Sequence, residues 1–386
     1  MTRLIHLTTA DISLELLLGP QLEAFAAAGY EVIGMSAPGP FVEQVEARGV
    51  RHIAVHNATR SMAPHKDLLA IAELHRRFRE LRPDIVHTHN PKPGLYGRLA
   101  ARAARVPVVV NTAHGLYATP EDRWHKRAVV YGLERLAATC SDAELVQNPE
   151  DLVTLRRRLR EPASKLVLLG NGVDLRRFSP DPDGERRRRI RAELSLGEGA
   201  VVVGAVGRLV AEKGYPELFS AWARVRASHP DAVLVVIGPD DPDKADALDR
   251  TVVDAASRNG VRFLGMRHDV EDLYHGMDLY VLASHREGFP RSAMEAAAAG
   301  LPIVTTDIRG CRQVVTDGLN GRLVAVGDDA ALAAALEELI ADAGLRTRMG
   351  TASAERARRE FDQQCCIDIT LATYERLLRA RGLAAP

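Results

Sequence analysis

Glu287 and Glu295 stand with seven residues between them in the run Ser284-His285-Arg286-Glu287-Gly288-Phe289-Pro290-Arg291-Ser292-Ala293-Met294-Glu295. Carboxylates accept hydrogen bonds from sugar or ribose hydroxyls, and free N–H groups at a helix start attract phosphate. The apolar run 279–282 just upstream predicts a buried strand, while Gly288 and Pro290 break regularity and permit a helix to begin. Glu287 is therefore expected on the loop at the strand's carboxyl end, and Glu295 about a turn inside an Ala-rich helix. In a doubly wound sheet that edge is where ligands bind. On spacing alone, the pair reads equally well as an exposed loop Glu and a helix-surface Glu.

A second cluster, Gly204-Ala205-Val206-Gly207-Arg208-Leu209-Val210-Ala211-Glu212-Lys213-Gly214, also follows a strand-like run and precedes a helix-like one. Arg208 offers a planar fork to phosphate and Lys213 a compact point charge, so together they could neutralise a diphosphate leaving group. The alternative is two turn glycines and two solvated cations. The cluster lacks the Gly-Lys-Ser/Thr ending of a phosphate-binding P-loop, which argues against an ATPase. His87 and His89, two apart on a predicted strand, share a face and could resemble metal ligands, but no third ligand follows at convincing spacing. Asp240, Asp241 and Asp243 form another acidic group, read as a Pro-interrupted turn, so no metal site is expected.

These residues need elements to carry them. Candidate strands at 4–7, 31–35, 52–55, 85–88, 108–112, 144–146 and 166–169 alternate with helical periodicity at 14–28, 66–81, 94–104 and 124–138. A Gly-, Asn-, Asp-, Pro- and Arg-rich stretch at 170–184 reads as a linker. The alternation restarts with strands at 201–206, 233–237, 262–264, 279–282 and 303–305 and helices including 216–228 and 245–259. A tail of helices follows over 330–379, interrupted at Gly344 and Gly350. Such alternation predicts an α/β protein with parallel sheets flanked by helices, in two similar halves whose cleft is the default site.

The totals narrow the class. Lys plus Arg and Asp plus Glu both number 51, aromatic residues make up 5%, and the basic runs at 156–160 and 186–189 lack interleaved aromatics, so nucleic acid is not an expected partner. Those runs are expected to be solvated helix faces or to meet anionic lipid headgroups. Four cysteines, two of them adjacent at 365 and 366, make no disulfide framework, which suits a reducing cytoplasm. The cluster at 14–18 contains Glu15 and falls short of a signal peptide, and no uncharged apolar run is long enough to span a membrane.

Taken in order, the motifs resemble the retaining glycosyltransferases of family four. The resemblance rests on Gly207-Arg208-Leu209 with Glu212-Lys213-Gly214, Leu264-Gly265, the run from Glu287 to Glu295, and Gly300-Leu301-Pro302-Ile303-Val304. In the first half, Pro83-Asp84-Ile85-Val86-His87-Thr88-His89, Asn111-Thr112-Ala113-His114-Gly115 and Asn171-Gly172-Val173-Asp174 look like family segments. It implies the glycosyltransferase B fold, two Rossmann-like domains facing a cleft. The expected bounds are 1–175 for an acceptor-side domain, 176–364 for a nucleotide-sugar domain and 365–386 for a terminal helix packing back on the first domain.

The resemblance further implies that Arg208 and Lys213 bind the diphosphate of a UDP- or GDP-sugar. Glu295 would hold the ribose and Glu287 the transferred sugar. Gly288, Phe289 and Ser292 would line the donor site, Gly265, Met266 and Arg267 would face the base, and His114 would reach the donor sugar. No cofactor is required, because the cations take over the role of a metal. The segment His89-Asn90-Pro91-Lys92-Pro93-Gly94 with Arg98, Arg102 and Arg105 resembles the acceptor side of bacterial polysaccharide transferases, implicating His89 and Lys92. Such enzymes commonly take undecaprenyl-diphosphate-linked sugars at the inner membrane, so a peripheral position on its cytoplasmic face is expected, with a glycan, lipid-linked or small-molecule acceptor. The sequence departs from the family's Gly-Gly loop after the first strand: Thr8-Thr9-Ala10-Asp11-Ile12-Ser13 stands there. Asp11 and Ser13 would then shape the acceptor site or cap a helix. A nucleotide-sugar epimerase or hydrolase and a non-catalytic nucleotide-sugar or carbohydrate-binding protein are the rival readings.

Overall fold

The structure is a computed structural model describing residues 1–59, 64–89, 91–118, 122–197, 199–242 and 244–386. The chain divides into two compact units, Met1–Gly170 with Gln364–Pro386, and Asn171–Gln363. Each is a parallel sheet flanked by helices.

The first unit carries β1 (Arg3–Ala10), β2 (Glu31–Ala37), β3 (Arg51–Ala54), β4 (Ile85–His89), β5 (Val108–Ala113), β6 (Ala143–Val146) and β7 (Leu166–Leu168). They form one sheet in the order β3-β2-β1-β4-β5-β6-β7. The intervening helices are α1 (Gly19–Ala27), α2 (Val42–Ala47), α3 (Pro64–Leu81), α4 (Pro91–Ala103), α5 (Trp124–Ala138) and α6 (Pro149–Arg157). Helices on both faces of a parallel sheet bury both, and Leu4, Ile5, Val108, Val109 and Val110 are accordingly sealed from solvent.

The second unit carries β8 (Val202–Val206), β9 (Val233–Ile237), β10 (Val261–Phe263), β11 (Leu279–Leu282), β12 (Ile303–Thr306) and β13 (Gly321–Val324), ordered β10-β9-β8-β11-β12-β13. Its helices are α7 (Glu185–Glu193), α8 (Tyr215–Ser228), α9 (Arg250–Arg258), α10 (Val270–Gly276), α11 (Arg291–Ala298), α12 (Arg309–Arg312), α13 (Asp329–Ala341) and α14 (Ala343–Glu360). The last helix, α15 (Gln363–Ala380), returns to the first unit, where Ile367, Tyr374 and Leu378 join a core with Leu4, Phe25 and Val108.

Several sequence expectations change. The single helix over 14–28 is a π-helical turn, Ser13–Leu18, followed by α1, with Pro20 in the first turn of α1. Gly350 does not interrupt α14: a side chain there would meet the Gly300 carbonyl oxygen at 2.2 Å, so the glycine serves close packing. The break before α14 falls instead at Asp342, which caps it by accepting from the Leu345 N–H at 2.8 Å. The helix over 245–259 shortens to α9 because Asp249 caps it, accepting from the Thr251 N–H at 2.7 Å. Strand β13 went unread because Gly321 and Arg322 interrupt its apolar pattern. A side chain at Gly321 would lie 1.9 Å from the Ile303 carbonyl oxygen, so only glycine lets β13 close on β12.

Helix α5 matches the helical periodicity read over 124–138, but turns much of its apolar set outward. Trp124, Val129, Leu133 and Leu136 are exposed, at 75, 63, 43 and 52%, whereas Glu134 turns inward to the buried Arg98 at 2.7 Å. Arg98 also pairs with buried Glu144 at 2.7 Å, so it belongs to the interior rather than to an acceptor surface.

Gly214 and Gly265 both have left-handed backbones, φ +72° and +64°, but a side chain at Gly214 would lie 1.9 Å from the Ala283 carbonyl oxygen and one at Gly265 would meet nothing within 4 Å. Gly265→Ala should therefore cost about 1 kcal/mol of conformational strain and Gly214→Ala at least ~3 kcal/mol. Thermal unfolding of the two variants checks this, and equal losses would mean that the close approach does not matter.

Candidate active site

The site in the second unit is assembled at the carboxyl ends of β8, β9 and β11. After β8 the chain turns through Gly207, whose N–H donates to the Ile237 carbonyl at 2.9 Å. Gly238, at the end of β9, presses on this turn so closely that a side chain there would lie 2.0 Å from the Gly207 carbonyl oxygen. A 3-10 turn, Ala211–Lys213, and left-handed Gly214 then lead into α8. The Ala283 backbone behind Gly214 brings Lys213 against the loop after β11.

That contact is a salt bridge. Lys213 Nζ lies 2.6 Å from Glu287 Oε1, and the Ser284 hydroxyl donates to the same oxygen at 2.8 Å. Both ends are mostly covered, with 23% of the lysine and 13% of the glutamate side chain exposed. The backbone behind Glu287 is held equally tightly, since a side chain at Gly310 would approach the Glu287 carbonyl oxygen to 2.6 Å. Arg208 pairs with Asp241 on the neighbouring loop. Each cation thus has a carboxylate partner that an incoming anion would have to displace or share.

Glu295 sits in the second turn of α11 above two buried tyrosines. The Tyr274 hydroxyl lies 3.0 Å from Glu295 Oε2 and 3.1 Å from the Ser292 carbonyl, and Arg291 Nε donates to Oε1 at 3.3 Å. Burial raises the Glu295 pKa above the usual carboxylate range, while Arg291 opposes the rise. Ser292 is held from below, its hydroxyl accepting from Tyr280 at 2.7 Å. Phe289 packs edge-on against Phe361 at 6.0 Å, its carbonyl accepts from Asn171 Nδ2 at 3.3 Å, and Gly288 precedes it in the loop. The Gly265 carbonyl accepts from the Gly238 N–H at 2.9 Å; Met266 is exposed, and Arg267 is tied to Asp269 and, at 2.7 Å, to Glu193. Arg267 is thereby anchored to the unit's own carboxylates.

Tyr274, Tyr280, Ser284 and Asp241 were not singled out from the sequence as site residues. For Tyr280, a tyrosine in the otherwise apolar strand β11 was the available signal, because a buried phenol needs a partner for its hydroxyl. The acidic group resolves differently from a metal cluster: Asp241 is the partner of Arg208, and Asp243 lies outside the described residues, as does Asn90 of the first unit.

In the first unit, His114 follows β5 and His89 ends β4, with His89 Nδ1 3.0 Å from His114 Nε2. His89 is buried, and its other nitrogen lies 2.9 Å from His6 Nδ1, so both of its nitrogens face imidazoles instead of an acceptor. His6 on β1 is the third imidazole that sequence spacing did not supply; it lies beside His87 in register across β1 and β4. Ring nitrogens of His6, His87 and His89 all fall within 4.8 Å of one another. A 2.9 Å N···N contact is a hydrogen bond with a proton between the lone pairs, whereas metal ligation needs bare lone pairs converging on one point. Lys92 pairs with Asp67 at 2.6 Å and donates to Thr59 Oγ1 at 3.0 Å. Asp11 is buried and accepts from the backbone N–H groups of Ile12 and Phe41 at 2.9 and 2.7 Å, so it pins the 39–41 loop to the end of β1. Ser13, half-buried, opens the π-helical turn.

Comparison with known proteins fits this arrangement. Residues 186–356 match the model "Glycosyl transferases group 1" and residues 21–177 the model "Glycosyltransferase Family 4". The chain is 31% identical over 294 residues, 75% of its length and 74% of the relative's, to a UDP-Gal:alpha-D-GlcNAc-diphosphoundecaprenol alpha-1,3-galactosyltransferase of Escherichia coli. It is 26% identical, over 98% of both chains, to a capsular polysaccharide biosynthesis glycosyltransferase of Staphylococcus aureus. Among solved structures, a sucrose-phosphate synthase from Thermosynechococcus elongatus superposes with a TM-score of 0.83 at 22% identity, over 98% of this chain and 100% of that one. The family models match along both halves, and the chain belongs to the group 1, family 4 glycosyltransferases, enzymes that use nucleotide-sugar donors.

Proposed function

We propose that this enzyme is a retaining transferase that moves a hexose or N-acetylhexosamine from a UDP- or GDP-sugar to a hydroxyl of a lipid-linked or polysaccharide acceptor. The carrying observation is the Lys213–Glu287 contact at 2.6 Å, with Ser284 on the same oxygen. It supports a division of labour in which Lys213 and Arg208 receive the diphosphate while Glu287 is released to a sugar hydroxyl and Glu295 accepts from the ribose. The bond from the anomeric carbon to the diphosphate oxygen breaks through an oxocarbenium-like state as the cations stabilise the departing charge. The acceptor oxygen bonds to the same face of that carbon, and its proton passes to the leaving diphosphate. No cofactor is required in this reading, since the countercharge comes from the side chains. The UDP-galactose and diphosphoundecaprenol in the E. coli relative's name support a UDP-sugar and a lipid-diphosphate acceptor.

Helix α5 supports a peripheral position on an anionic bilayer. Its outward apolar stripe of Val129, Leu133 and Leu136, with exposed Trp124 at the helix start, is accompanied by exposed Arg123 and Arg135, the combination that favours insertion at a charged lipid interface. No described helix is long and apolar enough to cross a membrane.

Lys213→Ala should lower turnover about 10²–10³-fold, the effect of removing one preorganised electrostatic group. Steady-state transfer assays on the folded variant measure this, and near-wild-type turnover removes Lys213 from the leaving-group role. Glu287→Gln should lower kcat about tenfold or more, as for one lost charge-assisted hydrogen bond, while nucleoside diphosphate binds as tightly or more tightly because Lys213 loses its competitor. Titration calorimetry with UDP and GDP checks the second half; an affinity loss matching the loss in kcat would place Glu287 on the nucleotide. Omitting acceptor should abolish donor turnover, and turnover that persists would favour a hydrolase or epimerase. Finally, the chain should float with phosphatidylglycerol-containing vesicles at physiological salt and fail to do so as the Trp124→Ser, Leu133→Asp double variant, whereas equal flotation of both proteins would dismiss α5 as the docking face.

A further inference from the structure

Six side chains on β1, β4, β5, the β5–α5 loop and α15 form one line of polar contacts through the first unit. His87 Nε2 lies 2.7 Å from the Thr112 hydroxyl, and His87 Nδ1 is in short contact with the Tyr374 hydroxyl. The same phenol lies 3.5 Å from His6 Nε2. His6 Nδ1 lies 2.9 Å from His89 Nε2, and His89 Nδ1 3.0 Å from His114 Nε2. The line ends at His114 Nδ1, a buried nitrogen with no hydrogen-bond partner. Burial lowers the His114 pKa and the Gln147 amide opposes it; that amide carries both an acceptor oxygen and a donor NH2, so it can serve the ring in either tautomer.

None of the four rings carries a second proton near neutrality. Burial lowers His6 to about 3 and His114 to about 4, and drives His87 and His89 well below the ordinary histidine value. A neutral imidazole has one N–H and one bare nitrogen, so each ring that donates on one side must accept on the other. Along the imidazoles, from His6 through His89 to His114, the protons can therefore point in only two collective ways, toward Tyr374 or toward His114 Nδ1.

One physical fact chooses between them. A phenol O–H is a better donor than a neutral imidazole N–H, and the Tyr374 proton goes to the near nitrogen, His87 Nδ1, rather than to His6 Nε2 at 3.5 Å. His87 then keeps its proton on Nε2 and donates to Thr112, while the phenol oxygen can accept only from a protonated His6 Nε2. Following the line, His89 Nε2 donates to His6 Nδ1, and His114 Nε2 donates to His89 Nδ1.

We infer that the Tyr374–His6–His89 relay fixes His114 as the Nε2–H tautomer, leaving Nδ1 as a bare acceptor for a hydroxyl-bearing ligand. Tyr374, His6 and His89 are positioning residues that act through His114. The ligand chemistry follows from the lone pair: it takes a hydrogen bond from an O–H and repels a phosphate oxygen, which has none to give. The link to a sugar hydroxyl rests on the reading of the chain as a sugar transferase in which His114 meets the donor; the tautomer itself does not.

Long-range proton–nitrogen correlation on the 15N-labelled full chain, with ring signals assigned by single substitution, reads the tautomer directly. In the wild-type protein His114 Nδ1 should show the shift of an unprotonated nitrogen and Nε2 that of an N–H. In Tyr374→Phe, which removes the donor that orients the line, a population with the proton on Nδ1 should appear. The same variant should lose about tenfold in kcat/KM, near 1.4 kcal/mol, mostly in KM for the donor. A protonated Nδ1 in the wild-type protein overturns the inference, and this measurement stands even if Tyr374→Phe fails to fold. So does an unchanged tautomer in a folded Tyr374→Phe, or stoichiometric zinc on the purified protein held by His6, His87 and His89. If the tautomer is as stated but no sugar nucleotide is turned over, the relay holds and the transferase reading of the site fails.

Discussion

Around Lys213 and Glu287, backbone meets backbone at three places, and no side chain fits between them. Gly214 lies against Ala283, Gly238 against Gly207, and Gly310 against the carbonyl of Glu287. A side chain's position is only as fixed as the main chain that bears it, and these contacts join the loops after β8, β9, β11 and β12 into one rigid edge. The cost of setting Lys213 beside Glu287 is thus met during folding rather than on binding. Preorganised charge of this kind is worth far more than the same charges on mobile loops, because nothing has to reorganise when the leaving group acquires its charge.

The carboxylates have different surroundings, which argues against a pair acting as one. Glu287 faces a lysine and a serine hydroxyl, and Glu295 rests on a buried phenol and an arginine. The first environment is a charge pair open to exchange, the second a hydrogen-bonded shelf in which burial disfavours ionisation. In the proposed reaction, two acids held this way serve two different parts of one extended ligand. Hydrolytic glycosidases instead place two carboxyl groups across a single bond.

What could be read from the sequence follows the range of the physics. Strands such as 108–112 and 279–282 are short apolar runs in parallel sheets, a local signal, and they were found nearly to the residue. Strand β13 and the unbroken α14 depended on Gly321 and Gly350 meeting carbonyls far along the chain, and a glycine read alone resembles a breaker. Helix α5 shows the opposite failure. Its apolar period is real, but periodicity does not say which side faces the core, and the buried Arg98 that draws Glu134 inward decides that. Lys213, Arg208, Glu287 and Glu295 were legible as motifs, whereas Asp241 and Tyr274, the partners of Arg208 and Glu295, were not, since a hydrogen bond between distant residues has no spacing. His6 and Tyr374 were invisible for the same reason, lying 368 positions apart and meeting only in the fold.

Helix α15 is the last element of the chain, yet it completes the interior of the first unit. Leu4, Phe25, Tyr30 and Val108 find part of their packing in Ile367, Tyr374 and Leu378. During synthesis, the amino-terminal half emerges with one wall of its core missing, and the wall arrives only after the whole second unit has been translated. Domains made in order usually fold in order. Here the first unit has all seven of its strands by Leu168 and lacks only this helix, so the core of the unit made first is the one whose packing is completed last.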